Sequence, residues 1–89
     1  MTSVLIARVS LYRRHHSNNE SIHLDLFQSG RDFLLWQSGE FTNDPNGLPR
    51  ELITLDSEQA TRALLKEETQ RLCEEEGFVV IVPIAKMDS

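Results

Sequence analysis

The 89-residue chain carries 39% hydrophobic and 26% charged residues and a formal net charge of −5, the balance of one globular domain with a modest core. That balance excludes a membrane-spanning helix, because no apolar run approaches the ~20 residues one needs, and a uniformly basic, phosphate-seeking surface. One cysteine, Cys73, excludes an internal disulfide; with no basic-then-apolar leader at the start, the expected location is cytoplasmic.

The charge is uneven. Residues 1–31 hold four basic residues (Arg8, Arg13, Arg14, Arg31) against two acids, whereas residues 32–89 hold five against twelve. Contact with nucleic acid would therefore fall to the N-terminal third, and the remainder would attract a basic partner.

Val4 to Tyr12 alternates, with Leu5, Ala7, Val9 and Leu11 on one face, as in a half-buried strand. Arg13 to Glu20 is polar and reads as a loop, with Ser17, Asn18 and Asn19 as turn formers. Ser21 to Phe27 alternates again, placing Ile22, Leu24 and Leu26 inward and His23 and Asp25 outward. Gln28 to Asp32 reads as a hairpin loop and Phe33 to Gln37 as a third strand. Its run Phe33-Leu34-Leu35-Trp36 is apolar on both faces, so one side should meet a helix and the other be covered or adhesive. Asp44-Pro45-Asn46-Gly47 has the residue preferences of a type I turn. Leu52, Ile53 and Leu55 make a short strand, and Phe78 to Ile84, apolar throughout, reads as an interior strand. Pro83 stands near its end, where a lost ladder donor is tolerable.

The clearest element is a helix between Asp56 and Gly77. Asp56 is a suitable N-cap, Gln59 could complete a capping box, and Leu55 could pack on Ala60. Gly77 supplies the left-handed closing residue, and Phe78 can fold back on Cys73. Thr61, Leu64, Leu65, Thr69, Leu72 and Cys73 form the inward stripe. Glu68 falls inside that stripe and needs a partner or a place at the rim. Glu58–Arg62 and Glu67–Arg71 have the favourable i,i+4 order. Glu74, Glu75 and Glu76 crowd the last turn, where the helix dipole disfavours acids; they are either a solvated end or a partner-facing acidic patch.

No catalytic motif stands out. His15, His16 and His23 lack the spacing of metal ligands, and Cys73, on the inward stripe, reads as structural. Glu74 and Glu75 would need an enclosing cleft to act as an acid pair. The turn glycines do not open a helix after a strand, as a phosphate cradle would. The expectation is a protein that is not an enzyme and uses no cofactor or metal. Trp36 is the most telling single residue, either a core aromatic or a flat platform that stacks on a base or anchors a protein interface.

The order of features resembles the WGR domain, a small module of DNA-damage-responsive ADP-ribosyl transferases and of short bacterial proteins. The resemblance runs over about residues 5–82. It rests on Leu11 with Arg13-Arg14, Asn19, the strand Ile22 to Phe27, Trp36 closing the next strand, Gly39, Ser57-Glu58-Gln59-Ala60 opening the helix and Gly77-Phe78 closing it. The Gly and Arg that follow the Trp in the family are Gln37 and Ser38 here. The resemblance implies a similar fold and an association with nucleic acid through Trp36 and the Arg13/Arg14 loop.

The expected architecture is one α+β domain, ordered over about residues 3–85: an antiparallel sheet of about five strands in the order ββββαβ, with the helix across one face. The expected role is a non-catalytic binding module. Foremost is an acidic adaptor or inhibitor that engages a protein partner through Glu74, Glu75 and Glu76. The second reading is the WGR-like, nucleic-acid-associated module using Trp36, Arg13 and Arg14. No membrane partner is expected.

Overall fold

A computed structural model describes residues 2–39 and 48–81. Strands β1 (Ser3–His15), β2 (Asn18–Ser29), β3 (Asp32–Gly39) and β4 (Arg50–Leu55) precede helix α1 (Glu58–Glu76), and β5 (Val79–Ile81) follows it. The strands form one antiparallel sheet in the order β4-β3-β2-β1-β5. The fold is α+β, as the sequence led us to expect. No helix among the described residues is long and apolar enough to cross a membrane. The turn over Asp44 to Gly47, and the strand's expected extension through Val82, Pro83 and Ile84, lie outside the described residues.

The polar stretch from Arg13 to Glu20 is not a loop. Only His16 and Ser17 leave the ladder, with φ of 50° and 68°, the paired left-handed residues of a type I′ hairpin turn. Arg13, Arg14 and His15 therefore sit in β1, opposite Glu20, Asn19 and Asn18. The β2–β3 turn is equally tight, with Gly30 at φ 63°.

Alternation in these strands sends one set of side chains toward α1. Leu11, Ile22, Leu24, Leu26, Phe33 and Leu35 meet Leu65, Leu72 and Phe78 in a single buried cluster. One expected inward residue is missing. The β1–β2 register slips between Leu5 and Ala7, and the extra residue of that bulge returns Leu5 to the opposite face, beside Phe27.

Helix α1 begins one residue later than expected. Ser57, not Asp56, is the N-cap, its hydroxyl accepting from the Ala60 N–H at 3.2 Å. Gly77 closes the helix at φ 79°, and the Phe78 N–H donates to the Leu72 carbonyl at 3.2 Å. Glu58 pairs with Arg62 at 2.8 Å. Arg71 turns to Glu68 at 2.6 Å, and to Glu75 at 3.6 Å, rather than to Glu67. This gives the inward-lying Glu68 its partner from within the helix, because i,i+3 neighbours share a face. Strand β5 is at the sheet's edge, not its interior. Among the described residues it pairs with β1 alone, over Ser10 to Tyr12, and its three residues are all exposed. An apolar run shows that side chains favour burial but does not count the strands beside it.

Candidate interaction face

The pleat that sends Leu24 and Leu35 to the helix sends their neighbours the other way. On that second face the ladders align Leu5, Phe27, Leu34 and Thr54 in one row across β1 to β4, and Arg8, Asp25, Trp36 and Glu51 in the next. Beyond them Ser10, His23 and Ser38 form a third row, and Tyr12 with Ser21 a fourth. No described element covers this face. Phe27, Leu34 and Trp36 are half-buried, and with Ser3 they line a concavity of about 350 Å³.

Beside the apolar corner the face is polar but satisfied. Arg8 grips Asp25 through two hydrogen bonds, Nε to Oδ1 at 2.7 Å and Nη2 to Oδ2 at 3.0 Å. Those bonds, and secondarily the carboxylate's charge, raise the Arg8 pKa above its ordinary value. Arginine is charged at any working pH, so the pair is a fixed clasp and not a switch. Ser10 Oγ and His23 Nδ1 share a hydrogen bond of 2.8 Å, and the Tyr12 hydroxyl donates to Asn19 at 2.7 Å.

The residues singled out from the sequence do not form one site. Trp36 lies on the open face, whereas Arg13 lies on the helix side with its side chain 5% exposed. Its Nε donates to Glu20 at 2.7 Å, and its Nη1 donates to the Glu76 carbonyl oxygen at 2.6 Å and contacts the Glu76 carboxylate at 3.3 Å. Its guanidinium stands over the Phe78 ring, 4.7 Å from the centroid. A cation from β1 thus meets the negative end of α1, where no basic residue of the helix itself lies in the last turn, and this offsets the acids crowded there. Arg14 is exposed and paired with Asn19 at the hairpin end. It shares Trp36's face but lies about three rows away, ~20 Å along the strands.

The acidic run is divided in the same way. Glu76 points inward to Arg13, while Glu74 and Glu75 are exposed and engage Gln70 at 2.9 Å and Arg71 at 3.6 Å on their own helix. What the sequence reading missed is the company Trp36 keeps. Leu34 was visible as half of a doubly apolar run, Phe27 was read only as the end of its strand, and Leu5 reached this face only through the bulge.

A second groove, of about 430 Å³, runs between α1 and the β3–β4 side of the sheet, with Leu35, Ile53 and Leu64 inside and the Glu68–Arg71 pair at its rim. Glu68 and Arg71 there are already engaged with each other, and no aromatic lines it. Among the described residues, no three His, Cys, Asp or Glu side chains gather as a metal site would require. Comparison of the chain with family models, curated proteins and solved structures gave no match.

Proposed function

We propose that this chain is a non-catalytic interaction module that docks a protein partner on the uncovered face of its sheet, with Trp36 as the anchor. One observation carries the reading: Trp36, Phe27 and Leu34 are half-buried around a concavity on a face that no described element covers. Aromatic anchors set in shallow apolar pockets dominate the energetics of protein interfaces, and the satisfied Arg8–Asp25 and Ser10–His23 pairs beside them suit a polar rim. The net charge of −5 favours a partner that carries an apolar side chain within a basic surface. The role fits an adaptor or inhibitor. The separation of Arg13 from Trp36 by the thickness of the sheet gives no support to a combined nucleic-acid surface.

The test begins with proteins captured on the parent chain and not on Trp36→Ala. A captured protein, once purified, is titrated back while the emission of Trp36, the chain's one tryptophan, is followed. A blue shift on binding, and a loss of ~2 kcal/mol or more of affinity in Trp36→Ala, is the expected result. Full binding by Trp36→Ala together with loss in Glu74→Lys/Glu75→Lys would move the site to the helix end. Titration with duplex and single-stranded DNA at low and moderate salt completes the test. A steep salt dependence that requires Trp36 and Arg14 would replace the protein partner with nucleic acid.

A further inference from the structure

Strand β4 does not alternate. Leu35 pairs with Ile53 and Trp36 with Glu51, so Leu52 is an extra residue opposite β3. Leu52 and Ile53 both line the groove between helix and sheet, and the exposed positions of the strand are Glu51 and Thr54, three apart. Strict alternation from Thr54 would aim Glu51 at the helix; the bulge returns it to the open face. There Glu51 is the direct cross-strand neighbour of Trp36, a pairing that sets the two Cβ atoms ~5 Å apart. Asp25 is the neighbour of Trp36 on the other side, so the indole stands between two carboxylates. The two are held differently. Asp25 is gripped by Arg8, which balances its charge within the row. Glu51 accepts a hydrogen bond from the neutral Thr54 hydroxyl, which orients the carboxylate and leaves its charge. Among the described residues no cation pairs with it.

We infer that Trp36 and Glu51 together read an arginine of the docked protein, its guanidinium lying on the indole and its edge donating to the Glu51 carboxylate. This inference rests on the docking reading above and names what the partner presents there: an arginine beside the apolar side chain that enters the concavity of Ser3, Phe27, Leu34 and Trp36. Indole is the aromatic that attracts a cation most strongly. A planar guanidinium can stack on it and still donate two parallel bonds to a carboxylate at the ring's side, whereas an ammonium is a hydrated point charge without that fork. The chain already makes both contacts within itself. Arg8 holds Asp25 by two bonds in the same row of the sheet, and Arg13 lies 4.7 Å over the Phe78 ring. An acidic side chain arriving at Trp36 would instead meet the Glu51 charge, on a chain whose net charge is already −5. Glu51 thus sets specificity by repulsion as well as attraction.

The experiment titrates the full, nitrogen-15-labelled chain with end-blocked pentapeptides and follows its amide and indole N–H signals by NMR. One peptide carries arginine between two leucines, a second carries lysine there, and a third carries citrulline, which keeps the shape of arginine without its charge. The titrations run to about 10 mM, because one stacked cation and one exposed ion pair give affinities near millimolar. The arginine peptide should shift the Trp36 indole signal and bind about tenfold more tightly than the citrulline peptide, with lysine between them. Glu51→Gln, which still accepts from Thr54, should weaken the arginine peptide about threefold or more and leave the citrulline peptide unchanged. Glu67→Gln, the same charge change on the exposed side of the helix, should alter neither. Equal binding of arginine and citrulline, lysine as tight as arginine, or an arginine peptide indifferent to Glu51→Gln would overturn the inference. If those peptides still need Trp36, by comparison with Trp36→Ala, the docking face itself stands. An arginine peptide that leaves the Trp36 signal unmoved at 10 mM would also overturn the inference, and the docking reading is then decided separately by the captured protein.

Discussion

Removing Arg13 is the sharpest test of how this fold is held together. Its guanidinium and the Glu20 carboxylate are 5% and 3% exposed, so Arg13→Ala takes a partner at 2.7 Å from a carboxylate that water scarcely reaches. Breaking a buried pair from one side costs ~3–5 kcal/mol, mostly the penalty of the orphaned charge. The Glu76 carbonyl also loses a charge-assisted donor at 2.6 Å, worth ~1.5–3 kcal/mol by itself, though the two losses share one side chain and do not simply add. A domain of this length holds only about 5–13 kcal/mol in total, so Arg13→Ala should be close to unfolding. In urea, where m is ~1–3 kcal/mol/M, the midpoint should fall by at least about 1 M. Adding Glu20→Gln should restore part of the loss by removing the buried charge that Arg13 balanced, with a coupling above ~1 kcal/mol in the double-mutant cycle. A parent-like midpoint in Arg13→Ala, or a cycle with no coupling, would refute this account of the helix end.

Leu72, fully buried between helix and sheet, should cost ~2–5 kcal/mol as Leu72→Ala in the same denaturation assay. The closing glycine and the last residue of β3 should behave differently. At Gly77 an added Cβ meets nothing within 4 Å, so Gly77→Ala should cost only the left-handed conformation, ~1–2 kcal/mol. At Gly39 the same carbon would collide with the Ser21 carbonyl oxygen and stand 2.7 Å from Ile22 Cα, so Gly39→Ala should lower the thermal midpoint well beyond Gly77→Ala. Ser57→Ala should cost ~1 kcal/mol as the loss of the cap, and Asp56→Ala should cost less; the reverse order would move the cap back to Asp56.

The helix was legible because its signals are local. Caps, stripe and closing glycine each concern residues within a turn or two, and the error was one position, between two adjacent cap-forming side chains, Asp56 and Ser57. The inward set of β2 and β3 was legible for the same reason, since alternation needs no knowledge of neighbours. The bulge was not, because an extra residue exists only relative to the strand it faces, and nothing in Leu5-Ile6-Ala7 marks it. Nor was the fate of Arg13. Its partners are 7 and 63 residues away, and only the assembled sheet and helix bring them to one guanidinium. The arginine pair looked like a phosphate-binding loop because a two-residue turn at His16-Ser17 leaves no composition signature as clear as Asn-Gly. For the proposed interface, Trp36 was visible as a candidate, but its surroundings depended on register.

The two reaches of Arg13 also order events in time. Its contact with Glu20 closes a span of 7 residues and its contact with Glu76 one of 63, and chain-closure entropy makes the longer about 2 kcal/mol dearer. Strands β1 to β4 pair in sequence order, so the hairpin and its ion pair can form while still in water. The helix then arrives, and its last turn finds a cation already oriented. Weakening the Glu20 side should therefore slow folding, whereas weakening the Glu76 side should chiefly speed unfolding. One side chain would report on the first step of assembly and on the last.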